Sequence, residues 1–287
     1  MTREISHIEI IKKYAKPLEP QGTGVRAGGA LKAPVHAVLF DIYGTLFISS
    51  SGDISVAGEK IRAGLLSKLL KRYGIEIDAA DVLKRYFGEI EKIHSRLRRK
   101  GIDFPEVEID RVWMSVLNME SLERARRFTV EYESVFNPVW PMPFLEEIIA
   151  FLKKRKVILG IISNAQFFSP LLFEVFTGST PEGLGFTGEL IFYSFEHKYA
   201  KPSVRIYRKA EKVLKEMSIA PQSALYVGND MLNDIYPANT VGFQTALFAG
   251  DKRSLRMRKD DLRCSNLTPD LIITDLMDLS EHLIRYR

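Results

Sequence analysis

Along the second half of the chain, short apolar runs without a helical period alternate with amphipathic stretches. A helix over 144–155 is predicted ahead of a strand over 157–162, a helix over 168–176 ahead of a strand over 190–193, and a helix over 203–217 ahead of a strand over 224–227. A helix over 233–240 then precedes a strand over 245–248, and a short apolar run over 271–273 precedes a last helix. Repeated units of this size build a parallel sheet with right-handed crossovers and helices on both faces. An earlier run, Ala37 to Phe40, reads as a strand buried on both faces and ends abruptly at Asp41.

Residues 49–137 carry a helical pattern with no strand pattern in it. Ser55 is predicted to cap a helix running to Tyr73 with Gly74 past its end, and Asp78 to cap another running to Lys100 with Gly101 after it. Two more helices are expected over 109–119 and 121–136, before Asn137 and Pro138 stop them. At the start, Ile5, Ile8, Ile11 and Tyr14 share helical spacing until Pro17, Pro20 and a glycine-rich run to Gly29 break it. The division this predicts is a helical arm and flexible tether over 1–34, an α/β core over 35–48 and 138–287, and a small all-helical domain over 49–137.

Composition narrows the function classes. Hydrophobic residues at 46% and charged residues at 27% are ordinary for a soluble globular chain, and 287 residues provide ample core. A net charge of +5, spread along the sequence, permits an anionic small molecule without calling for nucleic acid. The basic run Arg96 to Lys100 suits a helix C-terminus, and no apolar run is long enough to span a bilayer. With one cysteine, Cys264, no intramolecular disulfide forms; with no signal peptide in evidence, a cytoplasmic location is expected. The arm is a possible oligomer contact. His94 and His197 lack metal-ligand spacing, and Trp113 and Trp140 read as packing aromatics.

The polar residues at strand ends carry the chemistry. Asp41 follows the first strand and is itself followed by Tyr43, Gly44 and Thr45, where the glycine permits a tight turn with backbone N–H groups open to a ligand. Ser163 and Asn164 end the second strand, Lys201 precedes Pro202, and Asn229, Asp230 and Asp234 follow the fourth. Taken singly, these are helix caps, a solvent-facing lysine and first-turn acids. Together they gather a carboxylate, a hydroxyl, a cation and an acidic cluster at the carboxyl ends of one sheet, where ligands bind in open α/β folds.

This order and spacing resembles the haloacid dehalogenase-like (HAD) hydrolase superfamily over roughly residues 36–285. FDIYGTL resembles its first motif, ISN over 162–164 its second, AKP over 200–202 its third and VGNDMLND over 227–234 its fourth. The resemblance implies a Rossmann-like core with a helical C1-type cap over 49–137. It further implies Asp41 as nucleophile, Thr45 and Ser163 as holders of the transferring group with Gly44, Asn164 and Tyr207 on the substrate, and Lys201 as charge partner. In a phosphatase of this superfamily, Mg²⁺ would be held by Asp41, the Tyr43 carbonyl, Asn229, Asp230 and Asp234.

Two positions depart from the phosphatase pattern. Tyr43 stands where phosphatases carry a second Asp as general acid/base, and a phenol of pKa near ~10 is poorly matched to that task. Asn229 stands where a metal-binding acid is usual. The tyrosine, with Tyr207 after the Lys-Pro motif, is similar to the metal-free 2-haloacid dehalogenases, whereas the acids of the fourth motif are similar to the phosphatases. Three expectations follow: a Mg²⁺-dependent phosphatase of a small phosphorylated metabolite, a metal-free dehalogenase, for which the cap shows no halide site and Arg72 reads as a surface arginine of an amphipathic helix, and a regulatory protein that keeps the fold without efficient catalysis.

Overall fold

The computed structural model describes residues 5–50 and 59–284, without the side chains of 59–62. The predicted cap at Ser55 lies outside those residues. The chain opens with helix α1 (His7–Tyr14), started by a reciprocal capping pair in which Ser6 and Glu9 satisfy each other's backbone N–H. Ile10 and Ile11 are its buried residues, while Ile5 of the predicted stripe is exposed. The segment that follows is fastened along the core. Gln21 donates its N–H to Asp251, Thr23 donates to the Ala249 carbonyl, and Gly28–Gly29 forms strand β1.

Strand β2 (Ala37–Phe40) leads through the turn at Tyr43–Gly44 to β3 (Phe47–Ser49) and out to the cap. The cap comprises α2 (Glu59–Arg72), α3 (Ala79–Arg99), α4 (Ile109–Val116) and α5 (Leu122–Phe136). Asp78 caps α3 by accepting from the N–H groups of Ala80 and Asp81, and Ser121 caps α5 through the N–H of Arg124. An aromatic cluster fills the cap centre: Trp113 lies 4.3 Å from Tyr86, 5.0 Å from Phe128 and 4.7 Å from Tyr132. The returning strand β4 (Val139–Pro141) pairs antiparallel with β3, Ser49 opposite Val139, so both cap connections form one small ribbon that the helical pattern did not disclose.

Through the core the chain runs α6 (Leu145–Lys154), β5 (Ile158–Ser163), α7 (Ser169–Thr177), α8 (Pro181–Leu184), β6 (Phe186–Tyr193), α9 (Ser194–His197) and α10 (Val204–Glu216). It continues through β7 (Ala224–Gly228), α11 (Tyr236–Thr240), β8 (Gln244–Phe248), β9 (Leu271–Ile273) and α12 (Asp278–Ile284). The predicted helix over 233–240 is instead a wide π turn, Met231–Ile235, followed by α11. The sheet order is β1-β9-β8-β7-β2-β5-β6, parallel throughout except that β1 runs against β9. β2 lies between β5 and β7, every residue of it fully buried, with Phe40 level with Ile161 and Val227. No helix among the described residues is long and apolar enough to cross a membrane.

Candidate active site

The register of the three central strands decides the site. Asp41, Ser163 and Asn229 are the residues at or just past the carboxyl ends of β2, β5 and β7, and the loop before α10 supplies Lys201. Ser163 donates to Asp41 Oδ1 at 2.8 Å, and Lys201 Nζ lies 2.7 Å from the same oxygen and 2.6 Å from Asp234 Oδ1. The third Lys201 hydrogen points to the Tyr226 hydroxyl at 3.3 Å, while Tyr226 donates to the Ile162 carbonyl at 2.7 Å. All three ammonium donors are thus spent on partners buried with it.

Burial opposes the charge on Lys201, but the carboxylates of Asp234 and Asp41 outweigh it and hold the ammonium above its usual range. Burial pushes the Asp234 carboxyl up, against the pull of Lys201. The lysine loop is held by Asn164, whose side chain accepts the Lys201 N–H at 2.7 Å and donates to the Lys201 carbonyl at 3.3 Å. Asn164 borders the cleft, but both ends of its amide are spent on positioning that loop, leaving little for the substrate contact expected of it.

The fourth motif is arranged otherwise than expected. Asp230 caps the π turn through the N–H groups of Leu232 and Asn233, and Arg258 closes on both of its oxygens, at 2.6 Å on Oδ2 and 3.1 Å on Oδ1. Asp234 is committed to Lys201 by one oxygen and to the Asp230 N–H by the other. Both acids are thus engaged by protein groups on each of their oxygens. Asn229 donates to the Ser254 carbonyl at 2.9 Å, and its Oδ1 accepts from no group among the described residues, as is also true of Asp41 Oδ2 and the Tyr43 carbonyl. They are oxygens of the hard kind that magnesium takes, although no group of three or more His, Cys, Asp or Glu side chains that could hold a metal ion is found among the described residues.

Two glycines make the close packing possible. A Cβ on Gly44, at φ +79°, would stand 2.2 Å from Asn229 Nδ2, and one on Gly228 would stand 2.4 Å from Asp234 Cγ. Gly44 therefore admits Asn229 rather than substrate.

Tyr43 borders the cleft, its phenol 2.8 Å from Ser169 Oγ at the start of α7. Burial raises its pKa beyond its ordinary value, against the hydrogen bond from Ser169. Thr45, expected on the transferring group, is wholly buried and is not in the cleft lining, and its hydroxyl has no partner among the described residues. Tyr207 is also wholly buried; it donates to the Asn233 carbonyl at 3.0 Å and stacks edgewise on Tyr226, so it supports the site from behind and reaches no substrate. Arg72 lies outside the cleft lining, 2.7 Å from Glu131 in the cap. Sequence reasoning missed Tyr226, Arg258 and Ser254; the last two sit in an aperiodic charged loop, and Tyr226 reads as one more core aromatic in a buried strand.

The cap loop 101–109 rests on the loop that carries Lys201. Ala200 donates its N–H to the Phe104 carbonyl, Ser203 donates to Asp103, and Ser194 donates to Glu106 Oε2 at 2.7 Å. Burial pushes the Glu106 carboxyl up, with the Ser194 hydrogen bond opposing. Gln166 completes the contact, accepting the Ile109 N–H and donating to the Val107 carbonyl.

The profile of the family described as haloacid dehalogenase-like hydrolase matches residues 35–242. The chain belongs to that family. Among solved structures, this haloacid dehalogenase-like hydrolase is similar to a 2-haloacid dehalogenase from Pseudomonas syringae, at 18% identity and TM-score 0.54, covering 88% of this chain and 99% of that one. It is similar also to a HAD phosphatase from Thermococcus onnurineus, at 19% identity and TM-score 0.53, covering 88% and 100%. A third is a putative HAD-hydrolase from Bacillus subtilis bound to magnesium, at 16% identity and TM-score 0.50, covering 88% and 99%. These likenesses show the fold. No curated protein matches the chain.

Proposed function

We propose that this haloacid dehalogenase-like hydrolase is a Mg²⁺-assisted phosphatase of small phosphate esters that works through an aspartyl phosphate on Asp41. The observation that carries this reading is the state of Asp41: it borders the cleft, its Oδ1 is fixed by Ser163 and Lys201, and its Oδ2 has no hydrogen-bond partner among the described residues. Asp41 Oδ2 attacks phosphorus as the P–O bond to the leaving group breaks, and the leaving oxygen departs as its anion and takes a proton from solvent; water then attacks phosphorus, the Asp41–phosphorus bond breaks, the water gives a proton to solvent, and phosphate leaves with the carboxylate restored. Lys201 offsets the charge crowded between the carboxylate and the phosphoryl oxygens on approach, and the charge returned to Asp41 when the aspartyl phosphate is hydrolysed. Asp41, the Tyr43 carbonyl and Asn229 Oδ1 would hold the ion, which supplies charge neutralisation on the phosphoryl oxygens when bound.

Tyr43, with its raised pKa, gives no proton to the leaving oxygen near neutrality. Substrates that leave without a proton, such as acyl and aryl phosphates, are therefore favoured over alkyl esters. Turnover of acetyl phosphate in Mg²⁺, lost on adding EDTA, is the expected result; undiminished turnover in EDTA overturns the metal requirement.

The same buried phenol favours one other reading, attack of Asp41 on C2 of a short 2-halo acid, because halide also departs without a proton. Halide release from 2-chloropropionate, with no phosphate released from acetyl phosphate, would decide for it.

A further inference from the structure

We propose that the N-terminal helix α1 is a wall of the substrate cleft and gives it a preference for phosphate compounds whose leaving group ends in a compact apolar unit. The head group rests on the phosphatase reading; the wall does not.

Helix α1 lies against α5 of the cap on one side and α7 of the core on the other. It is fixed to the cap by a closed trio: Tyr14 donates to Glu131 Oε1 at 2.5 Å, Arg72 Nη1 donates to the Tyr14 hydroxyl at 2.5 Å, and Arg72 pairs with Glu131 at 2.7 Å. On the core side, the His7 ring meets Phe167 at 6.0 Å between centroids. Ile10 and Ile11, both buried, hold the helix down.

So anchored, the arm presents Ile11, Tyr14 and Ala15 to the same cleft, of about 240 Å³, that holds Asp41 and Lys201. Phe168 and Leu172 of the core border that cleft as well. The lining thus combines a polar set around Asp41 and Lys201 with an apolar set partly supplied by the arm, while Glu133, Ser134, Asn137 and Gln166 border the cleft as well. A small hydrocarbon group gains against Ile11, Ala15, Phe168 and Leu172 by leaving water. Ala15, with its small side chain, leaves the room this group would fill.

The test is calorimetric titration of the full-length chain, in Mg²⁺, with benzylphosphonate and with methylphosphonate, which share a head group and cannot be hydrolysed as esters. Wild type is expected to bind benzylphosphonate about tenfold or more tightly than methylphosphonate. Ala15→Trp is expected to remove that preference while changing methylphosphonate affinity by less than about twofold. Ala15→Leu, a milder filling, serves should the tryptophan variant not fold, with a smaller shift in the same direction. Equal wild-type affinities, a preference that survives the substitution, or no binding of either compound overturns the wall. Should the preference hold while acetyl phosphate is not turned over, the phosphatase reading falls and the wall stands.

Discussion

At the scale of single residues, Asp41 and Lys201 are coupled through one oxygen. Asp41→Asn removes the nucleophile's charge but keeps its shape, so hydrolysis should fall on the order of 10³-fold or more with little change in melting temperature. A modest loss would mean that another group makes the bond. Lys201→Met leaves Asp41 and Asp234 buried without their shared cation, at an expected cost of about 3–5 kcal/mol in denaturant unfolding. The deficit should shrink as pH falls, because burial already favours the protonated Asp234. That these groups meet was legible in the sequence, since each sits at a strand end in a fixed order. That Arg258 claims Asp230 was not, because the residues are 28 apart with α11 and β8 between them, and Arg258 sits in a charged loop that follows no period.

At the scale of elements, the strands were the most legible part. A strand buried on both faces shows as an unbroken apolar run, and the run over 271–273 matches β9 residue for residue. Helices with a polar cap were also plain, as at Asp78 and Ser121. Strand β1 could not be read, because two glycines pair by backbone alone and carry no side-chain pattern. The contact of the cap loop with α9 was equally hidden, and it carries a pH-dependent term. Glu106 has a raised pKa in the folded protein, so the folded state holds its proton more tightly than the unfolded one. Stability from this group is therefore complete below the unfolded value of about 4.3 and is lost as pH rises through the folded value. Glu106→Gln keeps an acceptor for Ser194 without the charge. The variant should unfold at higher urea than wild type at pH 8 and match it near pH 4; an unchanged difference across that range would mean the carboxylate is not penalised by burial.

For the whole molecule, the cap is tied to the core at the ribbon, at loop 101–109 and through the arm. The aromatic centre of the cap should make it a cooperative unit: Trp113→Ala is expected to cost about 3–5 kcal/mol, read as a lower urea midpoint. If the loss appears as a separate early transition in far-ultraviolet circular dichroism, cap and core unfold apart; a single shared transition means that these ties join them. The run of helices α2 to α5 was legible because it interrupts an otherwise regular alternation. The arm's place was not, since a short amphipathic helix states that it has a buried face and leaves open against what.

The pairing of Ser49 with Val139 has a further consequence. The excursion of almost ninety residues begins and ends at adjacent points, so it is topologically a side loop on a closed circuit. Evolution or a designer could shorten, lengthen or exchange it as a cassette without rethreading the sheet, and a tight hairpin turn in its place would still join the chain across the gap.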